Sequence, residues 1–201
     1  MRGRPGVHRV TMTTEPCSMM LTLARVPAVQ RAGERSAALL GSGGRELSQQ
    51  RRELARCVLL QPAEALAAAG AVLDAATRSE CVGVMVVART RLCQAALALG
   101  HVSEAVRHAR PLAPLANGES CDDLYRGEVW LAAHQALAQA DPQAAAQLLV
   151  KVMNWLHETC RHHVPEPFHD SFLQRNPVNR ALLALAARAR EAGAGAAAAP
   201  D

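Results

Sequence analysis

Three short segments decide how this chain is read: Leu60-Gln-Pro-Ala-Glu-Ala65, Gly100-His-Val-Ser-Glu-Ala105 and Ala140-Asp-Pro-Gln-Ala-Ala145. They recur at a spacing of 40 residues and then 40 again, and a fixed period of that length marks stacked supersecondary units. Each follows one helical pattern rich in Ala and Leu and precedes another, so the repeated element is the turn of a helix hairpin. Pro62 and Pro142 hold the same place, where a first-turn proline gives up only an amide hydrogen that the helix leaves unpaired anyway. Ser103 takes a nearby polar position in the middle copy. Ala65, Ala105 and Ala145 fall where two helices must approach closely, which a small side chain permits.

Working outward, the periodicity predicts helices over 46–59, 62–77, 80–99, 102–115, 121–139, 142–163 and 177–191. Leu92, Ala95, Ala96 and Leu99 recur at helical spacing, as do Leu148, Leu149, Val152, Trp155 and Leu156. Val82 to Val87 is β-branched but has no partner strand in view, so it is read as a buried helix start. Ser120-Cys-Asp-Asp123 and Asn176-Pro177 read as helix caps, the first with two carboxylates at a positive helix end. Half of the 201 residues are hydrophobic, yet 41 are Ala and only five are aromatic. Small helix-favouring side chains argue for an all-α fold and against a β-sandwich or barrel. One ordinary domain is expected from this length, with no room for a large catalytic engine.

The turn residues Gly100, Ala105 and Pro142, at their spacing, resemble the tetratricopeptide repeat, over roughly residues 46–163. The resemblance implies an α-hairpin repeat, a right-handed solenoid of about three pairs plus a C-terminal capping helix, acting as a non-catalytic scaffold or sensor module. Such a module binds a peptide or partner helix on its concave helical face. The stretch Val164-Pro-Glu-Pro-Phe-His-Asp-Ser-Phe-Leu-Gln-Arg-Asn-Pro-Val-Asn-Arg-Ala-Leu-Leu183 resembles the closing segment after the helical-repeat region of large bacterial regulators with kinase or NTPase modules upstream. That implies an alternative role, a detached regulatory fragment of an ATP-dependent transcriptional or signalling protein. Trp130 and His134, four apart on the first helix of the third pair, face either the core or a concave groove; by analogy with the repeat family, Thr90 and Gln94 are their counterparts on the preceding pair.

Residues 1–45 carry Pro5, Gly6, Pro16, Pro27, Gly33 and the Gly41-Ser-Gly-Gly44 run, and are read as a disordered basic leader and linker. The helical-repeat domain spans 46–191, and the Ala/Gly tract of 192–201 is a flexible tail. The net charge of +4 is asymmetric: residues 1–56 hold ten Arg against four Glu, and the remainder balances at −2. The folding part is therefore not a basic body, and a specific nucleic-acid groove is not expected there. Cys17, Cys57, Cys81, Cys93, Cys121 and Cys160 are widely spaced, without a paired motif. Together with the lack of a secretory h-region they point to free thiols and a cytoplasmic protein. The longest apolar stretch, Cys81 to Ala88, is far below the roughly 18 residues of a membrane span. Arg in place of Lys and abundant Ala suit a GC-rich bacterial genome, with Met12, Met19 and Met20 as alternative starts.

Among chemistry-bearing patterns, Gly41-Ser-Gly-Gly-Arg45 lacks the preceding strand and the Lys-Ser/Thr pair of a phosphate cradle. His157-Glu-Thr-Cys-Arg-His-His163 is the densest titratable cluster, and a small metal-dependent enzyme using His157, Cys160 and His163 is the second alternative. The position four after His157 is Arg161, so the two-His helical zinc motif is not met. The simpler reading is basic side chains gathered at a helix C-terminus before Pro165. No cofactor, metal or catalytic residue is therefore assigned. Trp155 with Leu156, and Phe168 with Phe172, are expected to pack the closing segment onto the last hairpin.

Overall fold

The computed structural model describes residues 42–114 and 124–197, and every regular element among them is helical. Seven α-helices follow in order: α1 Ser42–Arg56, α2 Pro62–Arg78, α3 Val82–Ala98, α4 Val102–Ala109, α5 Arg126–Ala140, α6 Pro142–His163 and α7 Pro177–Ala197. Short 3-10 turns at Cys57–Leu59 and Glu166–Phe168 and a π turn at Ser171–Arg175 lie between them. None of the described helices is long and apolar enough to cross a membrane.

The three quoted segments are inter-helix turns, each closed by a different local device. Gln61 is extended before Pro62, which opens α2. Gly100 takes φ +74° after α3, and His101 N–H donates to the Ala96 carbonyl at 2.8 Å while Gly100 N–H donates to Leu97. That pairing satisfies the last carbonyls of the helix and requires a left-handed residue, which Gly adopts without penalty. Asp141 caps α6 by accepting from Ala144 N–H at 3.0 Å, just ahead of Pro142. The turn from α2 to α3 repeats the Gly100 arrangement with a Glu: Glu80 has φ 53°, and Cys81 N–H donates to Ala76 at 3.0 Å.

Each helix packs against its neighbours in the chain, and α1 with α3, α3 with α5 and α5 with α7 also touch. The odd-numbered helices thus form a continuous row, and each even-numbered helix rests on the two odd ones that flank it. The middle of this row carries the core. Val86, Val87 and Ala88 of α3 are buried in succession, as are Ala132, Ala133 and His134 of α5. Successive residues are about 100° apart on a helix, so α3 and α5 are buried round much of their circumference. Ala65, Ala105 and Ala145, expected at close approaches, are all buried. Trp130 is 1% exposed and lies edge-on to Trp155, ring centroids 4.8 Å apart.

The boundaries depart from the sequence reading in informative ways. Ser42-Gly-Gly44, read as linker, forms the first turn of α1; residues 1–41 lie outside the described residues. The predicted helix to 115 stops at Ala109: Arg110 still has helical dihedrals, but Pro111 has no N–H with which to continue the hydrogen-bond ladder. The cap expected at Ser120 to Asp123 also lies outside the described residues, and α5 begins at Arg126. At the other end α7 runs on to Ala197, so Ala192 to Ala197 is helix rather than tail, Ala outweighing two glycines. Residues 198–201 are not described. Phe172 packs beside Leu149 and Met153 as expected, whereas Phe168 is 60% exposed.

The closing segment is tied down by polar contacts. Asn176 accepts from Val178 and Asn179 N–H at 3.0 and 3.3 Å, the expected cap. The buried Asn179 accepts from Tyr125 OH at 2.7 Å and donates to the Phe172 carbonyl at 2.8 Å, joining α5, the π turn and α7. Gly127 lets this junction close: a Cβ there would lie 2.7 Å from Tyr125 Cε1 and 3.1 Å from Val178 Cγ1. Because Tyr125 is fixed by Asn179, Gly127→Ala should cost about 1–3 kcal/mol. Glu80→Gly, which lifts the left-handed penalty, should gain roughly 0.5–1 kcal/mol. Urea unfolding of the two variants beside the parent chain checks both signs.

Candidate functional site

The polar side chains that the fold brings together lie at the seam of α3 and α5. Arg91 Nη1 donates to Glu128 Oε1 at 2.5 Å and to Gln94 Oε1 at 2.9 Å, and Gln94 Nε2 donates to the same Glu128 oxygen at 3.3 Å. Arg91 and Gln94 share a face of α3 through their three-residue spacing. Glu128 stands in the first turn of α5, where a carboxylate also meets the positive helix end. The ion-paired side chains retain 11% and 19% of their exposure, so the pair is screened less than a surface bridge yet still reaches solvent. Arg91 Nε is buried without a hydrogen-bond partner among the described residues.

The four residues expected on an open binding face divide. Gln94 is half-buried in the network just described. Thr90 is fully buried, its hydroxyl donating to the Val86 carbonyl at 2.9 Å. Trp130 is in the core, and His134 is buried with Nδ1 unpartnered among the described residues. A ligand lying on the surface therefore does not touch Thr90, Trp130 or His134 directly; their helices are apolar on more than one side, and these positions turn inward. Arg91 and Glu128 were missed by the sequence reading. The available signal was slight: α3 carries Arg89 and Arg91 and α5 carries Arg126 and Glu128, and nothing in the sequence says which of them meet.

The histidine-cysteine cluster does not converge. Cys160 is buried, while His157 and His163, three residues before and after it on α6, are exposed. His162 pairs with Glu158 at 3.0 Å, and a His169 ring nitrogen meets the Val164 carbonyl at 2.8 Å. Among the described residues no three His, Cys, Asp or Glu side chains are placed to hold a metal ion. Cys57, Cys81, Cys93 and Cys160 are free thiols; Cys17 and Cys121 lie outside the described residues. Burial pushes the Cys93 thiol up to about 12, and Cys93 donates to the Ala132 carbonyl at 3.3 Å across the α3–α5 seam. A thiol so protonated is a packing group rather than a nucleophile.

Compared with protein-family models, with curated proteins and with solved structures, the chain finds no match.

Two buried imidazoles give the fold a pH signature. Burial lowers the pKa of His108 from 6.5, with Arg107 and Arg89 adding to the shift and Glu104 opposing it; burial alone lowers that of His134. Both are harder to protonate in the folded chain than in the unfolded one, so the unfolded chain binds more protons in acid. Their contribution is present above pH 6.5 and is lost as pH falls below it and through the depressed folded values. The melting temperature should fall from pH 6.5 towards about pH 5, and His108→Gln/His134→Gln should flatten that fall relative to the parent chain. Thermal melts of both proteins across this range test the sign.

Proposed function

We propose that the chain is a non-catalytic protein–protein interaction scaffold of tetratricopeptide-like architecture, acting in the cytoplasm and recognising a peptide or partner helix along its row of odd-numbered helices. Three hairpins, α1–α2, α3–α4 and α5–α6, form a right-handed stack in this reading, and α7 is the cap. Residues 164–183 serve as its closing segment. The observation that carries the proposal is the mostly buried Arg91–Gln94–Glu128 network, still in reach of solvent, at the centre of that row. Stacked helix pairs present side chains from successive units on one surface, suited to an extended partner.

The network supplies both signs of charge and an amide within one patch. A partner side chain or backbone amide gains charge-assisted hydrogen bonds there, stronger than neutral ones. Gln94 is the member of the expected quartet placed to touch a ligand. Thr90, Trp130 and His134 act from behind, holding α3 and α5 in position. The balance of −2 over residues 57–201 favours peptide over polyanion.

Peptide-array binding followed by fluorescence anisotropy tests this reading on the full chain. A subset of peptides should bind the parent, and Gln94→Ala and Glu128→Gln should each weaken them about tenfold. Melting temperatures should stay within about 2–4 °C. Absence of any bound peptide, or binding indifferent to both substitutions, contradicts it.

A further inference from the structure

A cleft of about 370 Å³ opens where α1 meets the α2–α3 turn, lined by Glu46, Leu47, Gln50, Ser79 and Cys81. That volume is within the range of small-ligand sites. Gln50 is only 6% exposed, and both carboxamide atoms, Nε2 and Oε1, are sealed without a hydrogen-bond partner among the described residues. An amide in this state destabilises the fold, because it has left water and gained nothing in exchange. A leucine of similar size would serve the packing better. The polar group is therefore explained by something that it meets only when a ligand is present, and its rotatable side chain lets the amide swing into the cleft that it already lines.

The chemistry of that ligand follows from the neighbours. Gln50 offers one donor and one acceptor side by side, the complement of a planar amide. Glu46 is one helical turn earlier and shares its face, so a carboxylate stands about 5–6 Å away along the helix, measured between Cβ atoms. A carboxylate at that distance suits an ammonium one carbon removed from the amide. Leu47 and Cys81 complete an apolar wall for a short aliphatic side chain, while the Ser79 hydroxyl is engaged by the Ala75 and Ala76 carbonyls at 3.2 and 3.3 Å.

We propose that this cleft binds an α-amino amide, the unit that begins a peptide and that occurs free as an amino-acid amide. The site stands independently of the Arg91–Glu128 seam.

Titration of the full chain with L-leucinamide, followed by melting temperature and by mass-spectrometric mapping of iodoacetamide alkylation at Cys81, tests it. Leucinamide should raise the melting temperature and slow alkylation of Cys81. N-acetyl-leucinamide, which lacks the ammonium, and leucine methyl ester, which lacks the amide N–H, should be about tenfold weaker. A leucyl-alanine amide arm separates the two sources: tighter binding than leucinamide assigns the site to peptide N-termini, and weaker binding to free amino-acid amides. Gln50→Leu should abolish the protection and raise the ligand-free melting temperature by about 2–4 °C. Glu46→Gln, at an exposed position, should weaken leucinamide about tenfold and leave the fold intact. Leucinamide without effect on Cys81, protection that persists in Gln50→Leu, or an affinity unchanged in Glu46→Gln, overturns the proposal.

Discussion

Where α5 lies along α3, the Cys93 thiol reaches the Ala132 carbonyl, and Ala96, Ala133 and Ala136 belong to the same buried cluster. Small side chains at this contact let two backbones approach, and everything else is arranged around it. The α1–α2 hairpin packs on α3 through Leu54, Ala69 and Val72, while α6 and α7 pack on α5 through Leu148, Val152 and Leu182. Trp130 fills the space between, against Trp155. Removing a buried indole of this kind costs about 3–5 kcal/mol, a large share of a domain's whole stability. Remote contacts such as Tyr125–Asn179 then attach the outer helices to a centre that already exists.

The hairpin order was legible in the chain because it rests on local chemistry. Prolines at first turns, a glycine at a left-handed position and Asp141 as a cap all act within a few residues of themselves, and periodicity carries the rest. Two ends were misjudged for equally local reasons. Gly43 and Gly44 suggested a linker, but one turn of helix tolerates them, and the Ala192 tract reads as low complexity while having high helix propensity. The left-handed Glu80 was not legible, since nothing in its side chain asks for that conformation; the demand comes from the turn that joins α2 to α3.

The functional surface was less legible than the fold. Thr90, Trp130 and His134 are residue types that serve a groove or a core equally well, and the deciding fact is that α3 and α5 are covered on more than one side. Periodicity within one helix cannot say which side a neighbour will cover. Arg91 and Glu128 meet only through tertiary packing, and the unpartnered amide of Gln50 has no sequence signature at all. Sequence shows charged residues in both helices, Arg89 and Arg91 in α3 and Arg126 and Glu128 in α5, and only packing selects the pair that meets.

α3 and α5 form the structural centre on which the outer helices depend. Native-state amide hydrogen exchange measures this most directly, because opening free energies rank elements by how much of the fold must open with them. Amides of α3 and α5 should exchange slowest, at the rate of global unfolding, with α1 and α7 faster. Slowest exchange in α1 or α7, or α3 and α5 exchanging as fast as those outer helices, would contradict it.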